Sequence, residues 1–186
     1  MFFFAKPSQS FVENFLLKAR AMEFSYLDIG ATETSVPDGY VLDHNRIEIG
    51  CDWEGAKDAV REWKMFDFDW VDISWPTTPI ETGQTVAIVI QHLGFYSLNA
   101  ARIVYTIDEP DRFGFAYGTL EDHGESGEER FMVERDSEGT VWYDLKAFSR
   151  PNHVFAKLGY PVVRMFQKRF AYDSKQAMFR AVNSIG

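Results

Sequence analysis

The sequence predicts an α+β chain in which a curved antiparallel sheet lies against one long C-terminal helix. Two observations carry this. From residue 70 to residue 149, six strand-like segments follow one another with short turns between them, the order of an antiparallel sheet. After them, Val163, Phe166, Phe170, Ser174, Ala177 and Ala181 recur at three- and four-residue steps, which marks one face of a helix reaching about residue 183. A long amphipathic helix following a bent sheet is expected to lie across the sheet's concave side.

The elements follow in order. "SFVE" at 10–13 is a capping box, with Ser10 as the cap, and Phe11, Phe15, Ala19 and Met22 form the helix's apolar face. Turn formers at Gly30, Pro37, Asp38 and Gly39 then make a loop. Residues 1–38 are thus a helical extension and loop of a single domain spanning 1–186. "YVLDHNRIEIG", 40–50, is the first strand. A helix follows, with Asp52 as its cap and Trp53, Ala56, Val60 and Trp63 as its inner stripe. The six strands are 70–75, 84–94, 97–110, 112–120, 129–136 and 140–149, the last two joined by the turn "SEG" at 137–139. "HVFAKLGY", 153–160, is a short helix, and Pro161 sits in the first turn of the long one, where its missing amide costs little.

Composition excludes several function classes. A net charge of −9 gives no basic field for nucleic acid. The single cysteine, Cys51, allows no disulfide within the chain and no cysteine-based metal site. No apolar stretch approaches the ~18 residues of a membrane helix, so an integral membrane protein is not expected. "MFFFAKPS" lacks the form of a signal peptide, and the expected compartment is cytoplasmic. No cofactor, metal or particular oligomeric state is predicted.

Three clusters carry possible chemistry. In 112–120, Phe113, Phe115, Tyr117 and Thr119 share one face, and Gly114, Ala116 and Gly118 the other. With 17 phenylalanines in the chain, two readings stand. The large residues fill a core, or they line an apolar pocket together with Phe131, Tyr143, Phe166 and Phe170, with Tyr117, Thr119 and Tyr143 as its polar points. The acidic stretch "LEDHGESGEE", 120–129, reads as a solvated hairpin tip, as an anchor in which Glu128 or Glu129 pairs with Arg150, or as an acid–base set around His123. No helical metal motif accompanies it. In "DHNR", 43–46, His44 and Arg46 share one face, the bland reading being a solvated edge.

The segments "RIVYTIDEPDRFGFAYGTLEDHGESGEERF" and "AFSRPNHVFAKLGYPVVRMFQKRF" resemble domain-of-unknown-function family nineteen-ninety over roughly 26–182. That family is similar in topology to the START-like, birch-pollen-allergen-like proteins. The resemblance implies a helix-grip fold, with a curved seven-stranded antiparallel sheet around a long C-terminal helix. It also favours the pocket reading: a hydrophobic small molecule or lipid held between sheet and helix. The alternative is an enzyme acting on a small apolar ligand there, with Tyr117 and His123 or His44 as acid–base groups. A protein-interaction module using the acidic face is the third class. Fold alone does not choose among them.

Overall fold

The computed structural model describes residues 1–74, 78–152 and 159–184. Its elements are β1 (Phe2–Phe3), α1 (Gln9–Ala19), β2 (Val41–Gly50), α2 (Trp53–Arg61), a 3-10 turn (Lys64–Phe66), β3 (Val71–Ser74), β4 (Thr85–Gln91), β5 (Tyr96–Asp108), β6 (Arg112–Thr119), β7 (Glu125–Arg135), β8 (Val141–Pro151) and α3 (Tyr160–Asn183). β2 to β8 form a curled antiparallel half-barrel in the order β2-β8-β7-β6-β5-β4-β3, and β1 adds to the start of β5. This is the seven-stranded sheet with a long final helix that the sequence predicts. Residues 153–158, the body of the expected short helix, lie outside the described residues. Among the described residues, no helix is long and apolar enough to cross a membrane.

Both faces of the sheet are covered. On the concave face, α2, the 3-10 turn and the second half of α3 bury Trp63, Met65, Phe66, Phe115, Phe131, Tyr143 and Met178 in one core. Trp63 stands at φ +57°, an unusual conformation for a bulky residue; it ends α2 and turns the chain so that Met65 and Phe66 point into the sheet. In α3 the buried residues are Ala171, Ser174, Ala177 and Met178, all from its midpoint onward. Ser174 meets Tyr143 Oη at 2.8 Å, so neither buried hydroxyl is left unpaired.

On the convex face, α1 packs against Ala87, Val89, Leu98 and Ala100. The cap of α1 is Ser8, not Ser10: the Ser8 hydroxyl accepts the Phe11 amide at 3.3 Å. The helix therefore begins earlier and buries Val12, Phe15, Leu16 and Ala19, leaving Phe11 exposed. The rest of that face is crossed by residues 24–36, hereafter the strap. The small side of β6 is what lets it approach, since a Cβ on Gly118 would fall 2.2 Å from Tyr26 Oη.

One boundary differs in a way that matters for function. β7 begins at Glu125, four residues before the expected start, and β8 runs on to Pro151. Half of the acidic stretch, 125–129, is therefore strand, and the turn shrinks to residues 120–124. Gly127 makes the extension possible: a Cβ there would lie 1.9 Å from the Phe148 carbonyl oxygen. Gly114 is under the same constraint, with the Phe131 carbonyl oxygen 2.1 Å from a Cβ. Gly114→Ala is expected to destabilise the fold by about 2–3 kcal/mol, as overpacking against rigid backbone does, measurable by urea denaturation.

Candidate functional site

Strand alternation and register place the concave-face side chains in rows across β6, β7, β8 and β2. The first is Phe113, Val133, Tyr143, Ile47, and the second Phe115, Phe131, Leu145, Asn45. The third changes character: Tyr117, Glu129, Ala147, Asp43. Beyond it on β7 stands Glu125. The inner face thus runs from apolar to polar along the strands.

The centre of the two apolar rows is sealed, while Phe113 and Ile47 at their ends are half-buried. The Trp63 ring lies 4.7 Å from Phe115 and the Phe66 ring 5.4 Å from Phe131, and both phenylalanines are 0% exposed. The polar row is roofed differently, by the first half of α3. Arg164 holds Asp43 through both guanidinium nitrogens, Nη2 to Oδ1 at 2.7 Å. Gln167 donates to Glu125 and to the Ser149 hydroxyl, the latter at 3.0 Å. Phe170 packs at 5.5 Å from Phe66. Under this roof Glu125, Glu129, Ala147, Ser149, Gln167 and Phe170 are only half-buried.

The centre of the row is a carboxyl–phenol pair. Tyr117 Oη donates to Glu129 Oε2 at 2.8 Å. Burial pushes the Glu129 carboxyl up to about 8; the Tyr117 hydrogen bond opposes this, and the charges of Glu125 and Asp43 add to it. Burial likewise pushes Glu125 up to about 7, with Arg164 opposing and Asp43 adding. Burial also holds the Tyr117 and Tyr143 hydroxyls well above their usual range, so both remain neutral donors. One side chain that titrates near neutrality beside a fixed phenol can donate or accept a proton. Among the described residues, no group of three or more His, Cys, Asp or Glu is arranged to hold a metal ion.

The other expected site residues fall elsewhere. His123 sits in the 120–124 turn, with Nδ1 3.0 Å from the Glu125 amide nitrogen and 3.1 Å from its carbonyl oxygen. Burial pushes its imidazole down to about 4, so it is neutral at physiological pH. Asn152 holds the same turn through the His123 carbonyl at 3.1 Å. His44 lies on the convex face, its Nε2 2.7 Å from Asp144 Oδ2, which Arg130 also engages through Oδ1. The expected grouping of His44 with Tyr117 is therefore corrected: alternation in β2 turns Asp43 and Asn45 inward and His44 outward. Thr119 is engaged by Ser25 Oγ at 2.6 Å and by the Gly127 amide at 2.9 Å, so it ties strands and strap together. Phe166 lies against Trp70 and His92, to one side of the polar row.

The expected anchor is also rearranged. Glu128 and Glu129 are neighbours in sequence and stand on opposite faces of β7. Glu128, 2% exposed, accepts four hydrogen bonds from the strap: from Tyr26 Oη and the Gly30 amide at 2.7 Å, the Thr32 amide at 3.0 Å, and the Thr32 hydroxyl. Arg150 pairs with neither acid; its guanidinium lies 4.5 Å over the Tyr40 ring. Asp43, Glu125, Arg164 and Gln167 were not singled out from sequence as ligand-facing residues, whereas Ala147 falls on the inward face of the strand alternation. The available signal was the period-two series Glu125, Gly127, Glu129, Phe131, Val133, continued backward through its glycine.

A second depression, a cleft of about 710 Å³ between the 3-10 turn, β3 and α3, opens to solvent beside Trp70, Asp67, Arg169 and Asp173. None of the residues expected to bind a ligand lines it.

Comparison with known proteins agrees with this architecture. A UPF0548 protein of Dictyostelium discoideum is 38% identical over 209 residues, covering 99% of this chain and 97% of that protein. A UPF0548 protein of Deinococcus radiodurans is 37% identical over 197 residues, covering 97% and 98%. Among solved structures, a hypothetical protein from Helicobacter pylori superposes with a TM-score of 0.58 at 11% identity, over 87% of this chain and 96% of that one. Norcoclaurine synthase from Thalictrum flavum, in complex with dopamine and hydroxybenzaldehyde, gives 0.52 at 11% identity, over 89% and 97%. At such identities the likeness is one of fold, the helix-grip fold. The family described as Domain of unknown function (DUF1990) matches residues 25–177, and with relatives this similar along their whole length the chain belongs to that family.

Proposed function

We propose that the whole chain, 1–186, works as one domain that binds a small organic molecule between the polar row and the first half of α3. The observation that carries this is Ala147. It lies on the inner face of a central strand, between Glu129 and Asp43, and is only half-buried. Leu145, one step along the same face, is 2% exposed. A small residue between two acids leaves this point of the inner face partly open. The ligand has an apolar body, set against Phe170 and Tyr117, and a hydrogen-bonding end that reaches Glu129. Tyr143, Phe115 and Phe131 stand behind this contact layer as its floor. Because Trp63, Met65 and Phe66 occupy the apolar rows, the space suits a compact body rather than a long acyl chain. A solved neighbour of the same fold that carries small aromatic molecules supports the reading by analogy alone. The lone cysteine and the absence of a membrane-crossing helix among the described residues are compatible with a cytoplasmic setting, which is part of the proposal.

The Tyr117–Glu129 pair favours one second reading, acid–base catalysis on the bound molecule. A carboxyl poised to titrate near neutral pH suits that work. His123 takes no part in it. Native mass spectrometry of protein isolated from its own source is expected to show a bound small molecule that Ala147→Leu excludes. An adduct-free mass for the natural protein, together with no thermal shift across a metabolite panel, would sink the binding reading.

A further inference from the structure

We infer that the outer face of α3 is a docking surface for an acidic amphipathic helix of another protein. This surface lies on the opposite side of the helix from the small-molecule site and does not depend on that reading.

α3 shows two faces. Inward it presents Ala171, Ser174, Ala177 and Met178. Outward it presents Met165, Tyr172 and Phe179, which are between 42% and 60% exposed. These three are seven residues apart. Seven residues are close to two turns, so they line up along one side of the helix for about 21 Å. Single exposed apolar side chains are common and need no cause. Three in one row on a 24-residue helix form a seam that nothing among the described residues covers.

The charges beside the seam select what covers it. Every exposed charged residue of α3 is a cation: Lys168, Arg169 and Arg180. Helical spacing puts Lys168 on one flank of the seam, and Arg169 and Arg180 on the other. Among the described residues Lys168 has no ion pair, and Arg180 reaches only the Asp67 carbonyl oxygen, at 3.4 Å. Arg169 lies 4.7 Å over the Trp70 ring and 3.4 Å from Asp173. The acids on that flank are engaged or set apart. Asp173 accepts from Trp70 Nε1 at 2.8 Å. Asp67 and Asp69 belong to the loop wall of the open cleft, whose other wall carries Arg169 and Arg180. The whole chain has a net charge of −9. The seam is thus a basic, apolar strip on an acidic protein.

That contrast names the occupant. A second copy packing α3 on α3 would set Lys168, Arg169 and Arg180 against themselves. An anionic membrane or a nucleic acid extends far beyond the strip and would meet the acidic remainder of the molecule. A single helix is narrow enough to touch the strip alone. Its leucine-like side chains fill the spaces between Met165, Tyr172 and Phe179, ridge into groove. Glutamates on its flanks pair with the three cations. The aliphatic stems of Lys168 and Arg169 widen the apolar contact.

The test uses the full chain and two labelled three-heptad peptides, one of LEEIAEE repeats and one of LKKIAKK repeats, followed by fluorescence anisotropy. They share an apolar face and differ in the sign of their flanks. The acidic peptide is expected to bind at least about tenfold tighter than the basic one, and to weaken several-fold as salt rises from about 50 to about 300 mM. Tyr172→Asp is expected to weaken the acidic peptide about tenfold. Lys168→Glu/Arg180→Glu is expected to reverse the order of the two peptides. All three positions are exposed, and circular dichroism with a melting curve checks that each variant is folded. No binding of the acidic peptide at millimolar concentration, equal binding of the two peptides, or an order that survives the double reversal would overturn the inference. Binding of the chain to phosphatidylcholine–phosphatidylserine vesicles, or self-association, would overturn it too if Tyr172→Asp abolished either one, because the occupant would then be a membrane or a second copy.

Discussion

Glu129→Gln is expected to make the protein more stable above pH 8, by about 2–4 kcal/mol. Glu129 titrates at about 8 in the folded chain and near 4.5 once unfolding returns it to water. Between those values the folded form holds a proton that the unfolded form has lost. Stability from this group is thus complete below pH 4.5 and drains away as pH rises toward 8. Glu125 acts in the same direction over the narrower window from 4.5 to about 7. His123 acts in the opposite direction, because its folded value is depressed to about 4 from 6.5. Its contribution is present above pH 6.5 and is lost as pH falls through 4. The wild-type protein should therefore be most stable in mildly acidic solution and weaken on both sides. Glutamine mimics the protonated acid at every pH and should remove most of the alkaline limb. Chemical denaturation from pH 5 to pH 9 measures this directly. Parallel wild-type and Glu129→Gln curves would refute the assignment.

Glu128→Ala is expected to cost about 3–5 kcal/mol, the range for stranding the partners of a buried charged group. Four donors from the strap converge on this one carboxylate, and alanine leaves two backbone amides and two hydroxyls facing an empty space. The loss should also be local. Amides in 26–36 are expected to exchange with deuterium far faster in the variant, while those of β6 and β7 change in step with global stability. Glu128→Gln should fall between the two, since an amide oxygen accepts fewer of the four bonds. A cost below about 1 kcal/mol for the alanine variant would mean that the strap is held by its apolar contacts, chiefly Tyr26 against Phe148.

Comparing these residues with the sequence shows what was legible. The sheet and final helix follow from two periodicities, two residues for strands and three to four for α3, and burial enforces both. The small face of 112–120 foretold close packing, and Tyr26 supplies it. The start of β7 was hidden because Glu, Ser and Gly are turn formers when nothing else constrains them. Here Thr119 bridges the main chain of Gly127, and β8 comes too close for any other residue, so tertiary structure overrides local preference. In "DHNR" the alternation was readable, but which face turned inward depended on α3, more than 110 residues away, supplying Arg164 for Asp43. The acids of 125–129 looked like one cluster because sequence proximity says nothing about sides of a sheet. Alternation turned Glu128 toward the strap and Glu125 and Glu129 toward α3.

The clasp on Glu128 also bears on the order in which the molecule assembles. Its donors precede it by 96 to 102 residues. β2 pairs with β8 across a comparable span, His44 facing Lys146. During synthesis the strap and β2 must wait for partners encoded about a hundred residues later. Closing loops of that length before any contact rewards them puts folding toward the slow end of the range for domains of this size. For that interval β2 is an unpaired edge able to pair with the wrong neighbour. The carboxylate that holds the strap thus arrives long after the strap itself.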